Sequence, residues 1–145
     1  AGVKRIVFAS TVQTVGYNPP GHTIRIADPP RPVTLYACTK LLGEVVGRFY
    51  HDRHGIEFVG VRIGWFQPYD SPLLRRENGA RDIWLSPRDA AGILAAAASK
   101  PDVGYAVVFG SSVTAWERLS RAELKERLGY EPVDDVRDIP IEPEG

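Results

Sequence analysis

The chain contains no methionine and one cysteine, Cys38. A lone thiol excludes an intrachain disulfide framework and suits a reducing compartment, so a cytoplasmic setting is expected. An excess of one charge is also missing: eighteen Lys and Arg balance eighteen Asp and Glu over 145 residues. No basic field is left to draw in nucleic acid or an anionic membrane surface. No apolar run reaches the length of a membrane span, and no signal-peptide pattern stands at the start. Neither an internal repeat nor an interdomain linker is seen. His51 and His54 have no carboxylate or cysteine at ligand spacing, so no metal is expected; they read as basic groups in the last turn of a helix. The opening residues Ala-Gly-Val-Lys-Arg read as the exit of a preceding helix, and a fragment of a longer protein is expected.

What is present alternates in type. An apolar content of 43% suffices for a core, and residues 1–145 read as a single domain. Apolar, β-branched runs at 4–9 (KRIVFA), 57–63 (EFVGVRI) and 105–109 (YAVVF) predict three strands. Between the first two, residues 10–34 carry loop chemistry in Asn18-Pro19-Pro20-Gly21, Asp28-Pro29-Pro30 and Pro32. Thr34 then caps a helix whose apolar positions Leu42, Val45, Val46 and Phe49 recur at helical spacing. Gly43 and Gly47 lie one turn apart on it and predict close packing against a sheet or another helix. The helix ends with basic residues and Gly55. A second long loop is expected over 64–85. Ser86-Pro87-Arg88-Asp89 opens an alanine-rich helix as N-cap, N1 proline and N3 acid, a structural task for Asp89. Ser120 caps a last helix that stops at Leu128-Gly129, and the acidic, proline-rich tail from Glu131 is expected to form a surface strap. Strand, helix, strand, helix, strand is the rhythm of a parallel sheet with right-handed crossovers, whose ligands bind beyond the carboxyl ends of the strands. Both long loops leave such ends.

The chemistry gathers at Tyr36 and Lys40. Four residues apart on a helix, their side chains leave from one face. A phenol ionises near pH ~10, and a neighbouring ammonium favours its phenolate. A tyrosine so placed exchanges a proton with a substrate hydroxyl, while the lysine polarises it and holds a group such as a ribose.

The stretch Ala9-Ser10-Thr11-Val12-Gln13-Thr14-Val15-Gly16, with Pro30-Arg31-Pro32, Tyr36-Ala37-Cys38-Thr39-Lys40, Gly43-Glu44 and Val61-Arg62-Ile63-Gly64, resembles the extended short-chain dehydrogenase/reductases. These are the NAD-dependent epimerase/dehydratase group. Trp84-Leu85-Ser86, Pro101-Asp102-Val103-Gly104 and Leu128-Gly129-Tyr130-Glu131-Pro132 are similar to the uronate dehydrogenase-like members. The resemblance covers the second half of such an enzyme. It implies an α/β fold: part of a Rossmann-type, doubly wound parallel sheet of about three strands with helices.

It also implies roles. Tyr36 is the base and Lys40 holds the nicotinamide ribose. Thr11, five residues before Gly16, orients the substrate hydroxyl. Ala9 and Ile63 join Tyr36 and Lys40 on the cofactor, NAD or NADP. Gln13, Trp65 and Arg81 face a sugar-type substrate, with Arg75 or Arg76 as alternatives to Arg81. The reaction implied is hydride transfer from a sugar or sugar acid. A nucleotide-sugar epimerase or dehydratase, or a catalytically silent assembly module, are the competing readings. Two departures qualify the match. No G-x-G-x-x-G fingerprint occurs, so the dinucleotide is expected to be held mainly by a complementary N-terminal segment. Val12, Gln13 and Trp65 stand where uronate dehydrogenases resemble asparagine, histidine and serine, which predicts poor use of plain hexuronates. A homo-oligomer is expected, and the isolated chain is expected to bind NAD(H) weakly and to associate through an unpaired edge of its first strand.

Overall fold

The computed structural model describes residues 2–142. Three parallel strands, β1 (Arg5–Thr11), β2 (Glu57–Ile63) and β5 (Tyr105–Gly110), form one sheet in the order β1-β2-β5. The register sets Ser10 beside Arg62 and Thr11 beside Ile63, so β1 and β2 end together. Both long loops therefore start on one rim. β2 occupies the expected residues because it is punctuated on both sides. Gly55 closes the preceding helix in the left-handed region at φ 66°. After the strand, a Cβ on Gly64 would lie 2.3 Å from the Ile83 carbonyl oxygen. Only glycine lets the returning chain pass that close.

Side chains alternate across the sheet, and a helix covers each face. Val59 and Val61 of β2 pack with Ile93 and Ala97 of α2 (Pro87–Ser99), joined by Val108, Leu124 and Leu128. Phe58, Gly60 and Arg62 point the other way, toward α1 (Leu35–His54). The parallel sheet is thus wound on both faces, as the sequence pattern requires.

Three expectations need correction. The apolar positions Leu42, Val45, Val46 and Phe49 of α1 do not meet the sheet; they are exposed. The side that does meet it is built of small residues: a Cβ on Gly43 would strike Phe8, and one on Gly47 would strike Phe58 at 2.2 Å. Large aromatic rings rise from the strands and the helix is thinned to receive them. Second, residues 64–85 are not a plain loop. They hold β3 (Trp65–Phe66) and β4 (Trp84–Leu85), paired in parallel, with short 3₁₀ turns at Pro72–Arg75 and Gly79–Ile83. Third, the last helix is a short turn that widens to π-type winding over Leu124–Leu128. The tail lies partly inside: Asp134, Val136 and Ile139 are buried, the last two against Leu74 and Trp84.

Candidate active site

Thr11 closes β1 and serves as N-cap of a 3₁₀ turn, Val12–Val15, its hydroxyl oxygen accepting the Gln13 amide. A bend so tight sets Thr11 at the strand end, where it is buried together with Val12 and Val15. Thr34 caps α1 by accepting the Ala37 amide and donates its hydroxyl to Gln13 Oε1 at 2.9 Å. The turn after β1 is thereby tied to the first turn of α1, which carries Tyr36. Lys40, one turn on, donates from Nζ to the Ala9 carbonyl at 2.8 Å. Its ammonium lies 5.5 Å from the Tyr36 ring centroid and 5.1 Å from that of Phe8. Tyr36 is half exposed, and no hydrogen bond to its hydroxyl is found among the described residues.

Behind this pair lies a network that periodicity did not disclose. Glu44, one turn beyond Lys40, accepts the Ser10 hydroxyl at 2.5 Å and a two-pronged pair from Arg62 at 3.0 and 2.8 Å. All three residues are buried. Lys40 and Glu44 thus grip the consecutive residues Ala9 and Ser10, immediately before Thr11. Two signals in the sequence pointed to it: an acid at i+4 from Lys40, and an arginine inside an otherwise apolar strand.

Of the remaining expected residues, Ile63 ends β2 opposite Thr11 and Ala9 is exposed on the rim. Gln13 is exposed and Trp65 opens β3 against the cluster of Leu74 and Trp84. Arg81 is not free to meet a substrate carboxylate. Its guanidinium is buried and donates to the carbonyls of Leu74, Val136 (2.8 Å) and Ile139 (3.1 Å), fastening the tail to the loop after β2. Arg75 pairs with Glu142 at 3.0 Å, and Arg76 is exposed.

A recess of about 290 Å³ opens beyond the carboxyl ends of the strands, walled by Val12, Ile24, Ile83, Trp116 and Leu119. Its charged groups are Asp82 and Arg118. Arg118 is spent on the carbonyls of Asn18, Pro19 and His22. Burial, with the Glu77 charge added, pushes the Asp82 carboxyl above its ordinary range against the opposing pull of Arg118 and Arg81.

The sequence and the fold are similar to those of known proteins. Residues 1–66 match the NAD dependent epimerase/dehydratase family. The chain is 37% identical over 136 residues to a uronate dehydrogenase of Pseudomonas syringae pv. tomato, covering 92% of this chain and 46% of that protein. It is 34% identical to an NAD-dependent glucose-6-phosphate dehydrogenase of Haloferax volcanii, covering 99% of this chain and 58% of the relative. A solved structure described as a mutated uronate dehydrogenase superposes with a TM-score of 0.84 at 31% identity, over 94% of this chain and 48% of that one. The chain thus spans about half the length of the curated relatives it matches. No helix among the described residues is long and apolar enough to cross a membrane. The parallel strand order agrees with the matched sequence, and residues 1–66 belong to the NAD dependent epimerase/dehydratase family.

Proposed function

We propose that this chain supplies the catalytic half of an NAD(P)-dependent dehydrogenase acting on a sugar or sugar acid, in a cytoplasmic setting that suits the exposed Cys38. One observation carries the reading: Lys40 is pinned by the Ala9 carbonyl at 2.8 Å, beside the Tyr36 ring and next to the strand end that presents Thr11.

The residues present fit the nicotinamide end of the cofactor. Lys40 has three donors and spends one on Ala9, leaving the others for ribose hydroxyls at an exposed rim with Ala9 and Ile63. The adenosine end has no glycine-rich turn here and falls to a complementary N-terminal segment. A bound nicotinamide would supply the hydride acceptor. Thr11 orients the substrate hydroxyl, and Tyr36, acting as the phenolate, takes its proton and becomes the phenol, with the Lys40 charge beside the ring. Gln13, held by Thr34, and Trp65 flank the sugar.

The experiment is Tyr36→Phe in the complete enzyme, this chain joined to its dinucleotide-binding half. Turnover should fall about 10²- to 10⁴-fold with an unchanged unfolding midpoint. Wild-type turnover in the variant sinks the assignment. The outer face of α1 completes the proposal: Leu42, Val45 and Phe49 are 62%, 63% and 55% exposed, an apolar stripe suited to a second copy of the chain. Val45→Glu should shift sedimentation toward the monomer; an unaltered distribution assigns the stripe no such role.

A further inference from the structure

The recess beside Thr11 selects by what it lacks. Its walls come from all three rim segments: Val12 and Ile24 after β1, Asp82 and Ile83 after β2, Trp116 and Leu119 after β5. That is where open parallel sheets receive ligands. Val12, one of these walls, directly follows Thr11 in the chain, which joins the recess to the rim of the proposed site. Arg118 lines the recess, but its donors are engaged. The two guanidinium groups nearest, on Arg81 and Arg118, are turned onto backbone carbonyls. The polar group that remains is the Asp82 carboxyl, for which no hydrogen-bond donor is found among the described residues.

Resting on the dehydrogenase reading above, we infer that this recess holds the non-reacting end of an uncharged sugar bearing a methyl group there, a 6-deoxyhexose. The methyl packs on Ile24, Ile83, Leu119 and the Trp116 ring, and the neighbouring ring hydroxyl donates to Asp82. A terminal carboxylate or phosphate meets apolar walls and the like charge of Asp82, while the Arg118 donors that could hold it are already engaged by the carbonyls of Asn18, Pro19 and His22. Asp82 is therefore a specificity residue that works partly by repulsion.

Two measurements on the complete enzyme test this. The first compares kcat/KM for 6-deoxyglucose, glucose and glucuronate in wild type and in Asp82→Asn. The second follows Trp116 fluorescence on titration with 6-deoxyglucose without cofactor, using Trp116→Phe to isolate the signal. Wild type should favour 6-deoxyglucose over glucuronate at least about tenfold, and Asp82→Asn should narrow that ratio about tenfold by raising glucuronate. The Trp116 signal should saturate. Glucuronate equal to or better than 6-deoxyglucose, an unmoved ratio in Asp82→Asn, or a silent Trp116 each overturns the inference. If Tyr36→Phe keeps full turnover while Trp116 still reports 6-deoxyglucose, the catalytic assignment fails and the recess stands.

Discussion

The two faces of the sheet are built on opposite plans. The α2 face is aliphatic: Val59, Val61, Val108, Ile93 and Ala97 meet in a cluster without charge. The α1 face holds aromatic rings against glycines and buries Glu44, Arg62 and Ser10 among them. Burying the first is favourable at about 25 cal/mol per Å² of apolar surface. On the second, desolvation of two charges roughly cancels their attraction, and Arg62 keeps a buried Nη1 with no partner among the described residues. The face that bears Tyr36 and Lys40 is thus the costly one. What it gains is register, because Lys40 and Glu44 hold α1 to successive residues of β1. Stability resides on one side of the sheet, positioning on the other.

The contrast can be broken most severely at Glu44. Glu44→Ala leaves the Arg62 charge buried and uncompensated, and should cost about 3–5 kcal/mol in denaturant unfolding. The pair replacement Glu44→Leu with Arg62→Met should recover most of that stability and not the turnover of the complete enzyme. Recovery of both means that the pair only fills space. Next comes Gly47→Ala, whose Cβ would sit 2.2 Å from the Phe58 ring. It should cost about 1–3 kcal/mol by overpacking, although alanine favours helix. A stabilised variant shows that the ring yields easily.

The smallest effect concerns pH on the α2 side, where Tyr130 donates to Asp89 at 2.9 Å. Burial first, and then this bond to a carboxylate, push the Tyr130 phenol up to about 12. The folded state holds that proton more tightly than the unfolded one. The contribution is full below the ordinary value near ~10 and fades as pH rises toward the folded value. Tyr130→Phe should flatten this stretch of the stability–pH curve relative to wild type; parallel curves refute the coupling.

Much of the fold was legible because punctuation and period agreed. β2 lies between Gly55 and Gly64, and Ser86 with Pro87 starts α2 where expected. The inner face of α1 was legible at Gly43 and Gly47, whose spacing predicted close packing, but not at Ala37 and Glu44, because periodicity weighs large apolar residues. β3 and β4 were equally hidden, since two residues cannot display a period and their pairing joins Trp65 to Trp84 across the intervening chain. At the site, Tyr36 and Lys40 share a helix and their adjacency is local. Arg81 was misplaced for the opposite reason: its partners are carbonyls 55 and 58 positions away. Asp89 shows both sides. The Ser86 hydroxyl accepts its amide as a cap should, but the carboxylate accepts from Ser112, Tyr130 and the amides of Val133 and Asp134.

That fastening of the β2 loop by the tail sets an order of events during synthesis. Residues 65–85 can leave the ribosome and still find no inner wall, because Val136 and Ile139 have yet to be made. At about 5–20 residues per second the wait is a few seconds. Through that interval Leu74, Trp84 and the Arg81 guanidinium lack Val136 and Ile139, while β1, α1 and β2 can already pair and pack with one another. The loop that flanks the proposed substrate recess is the late-setting part of this chain, and a nascent chain stalled before Val136 would expose it to proteases and chaperones.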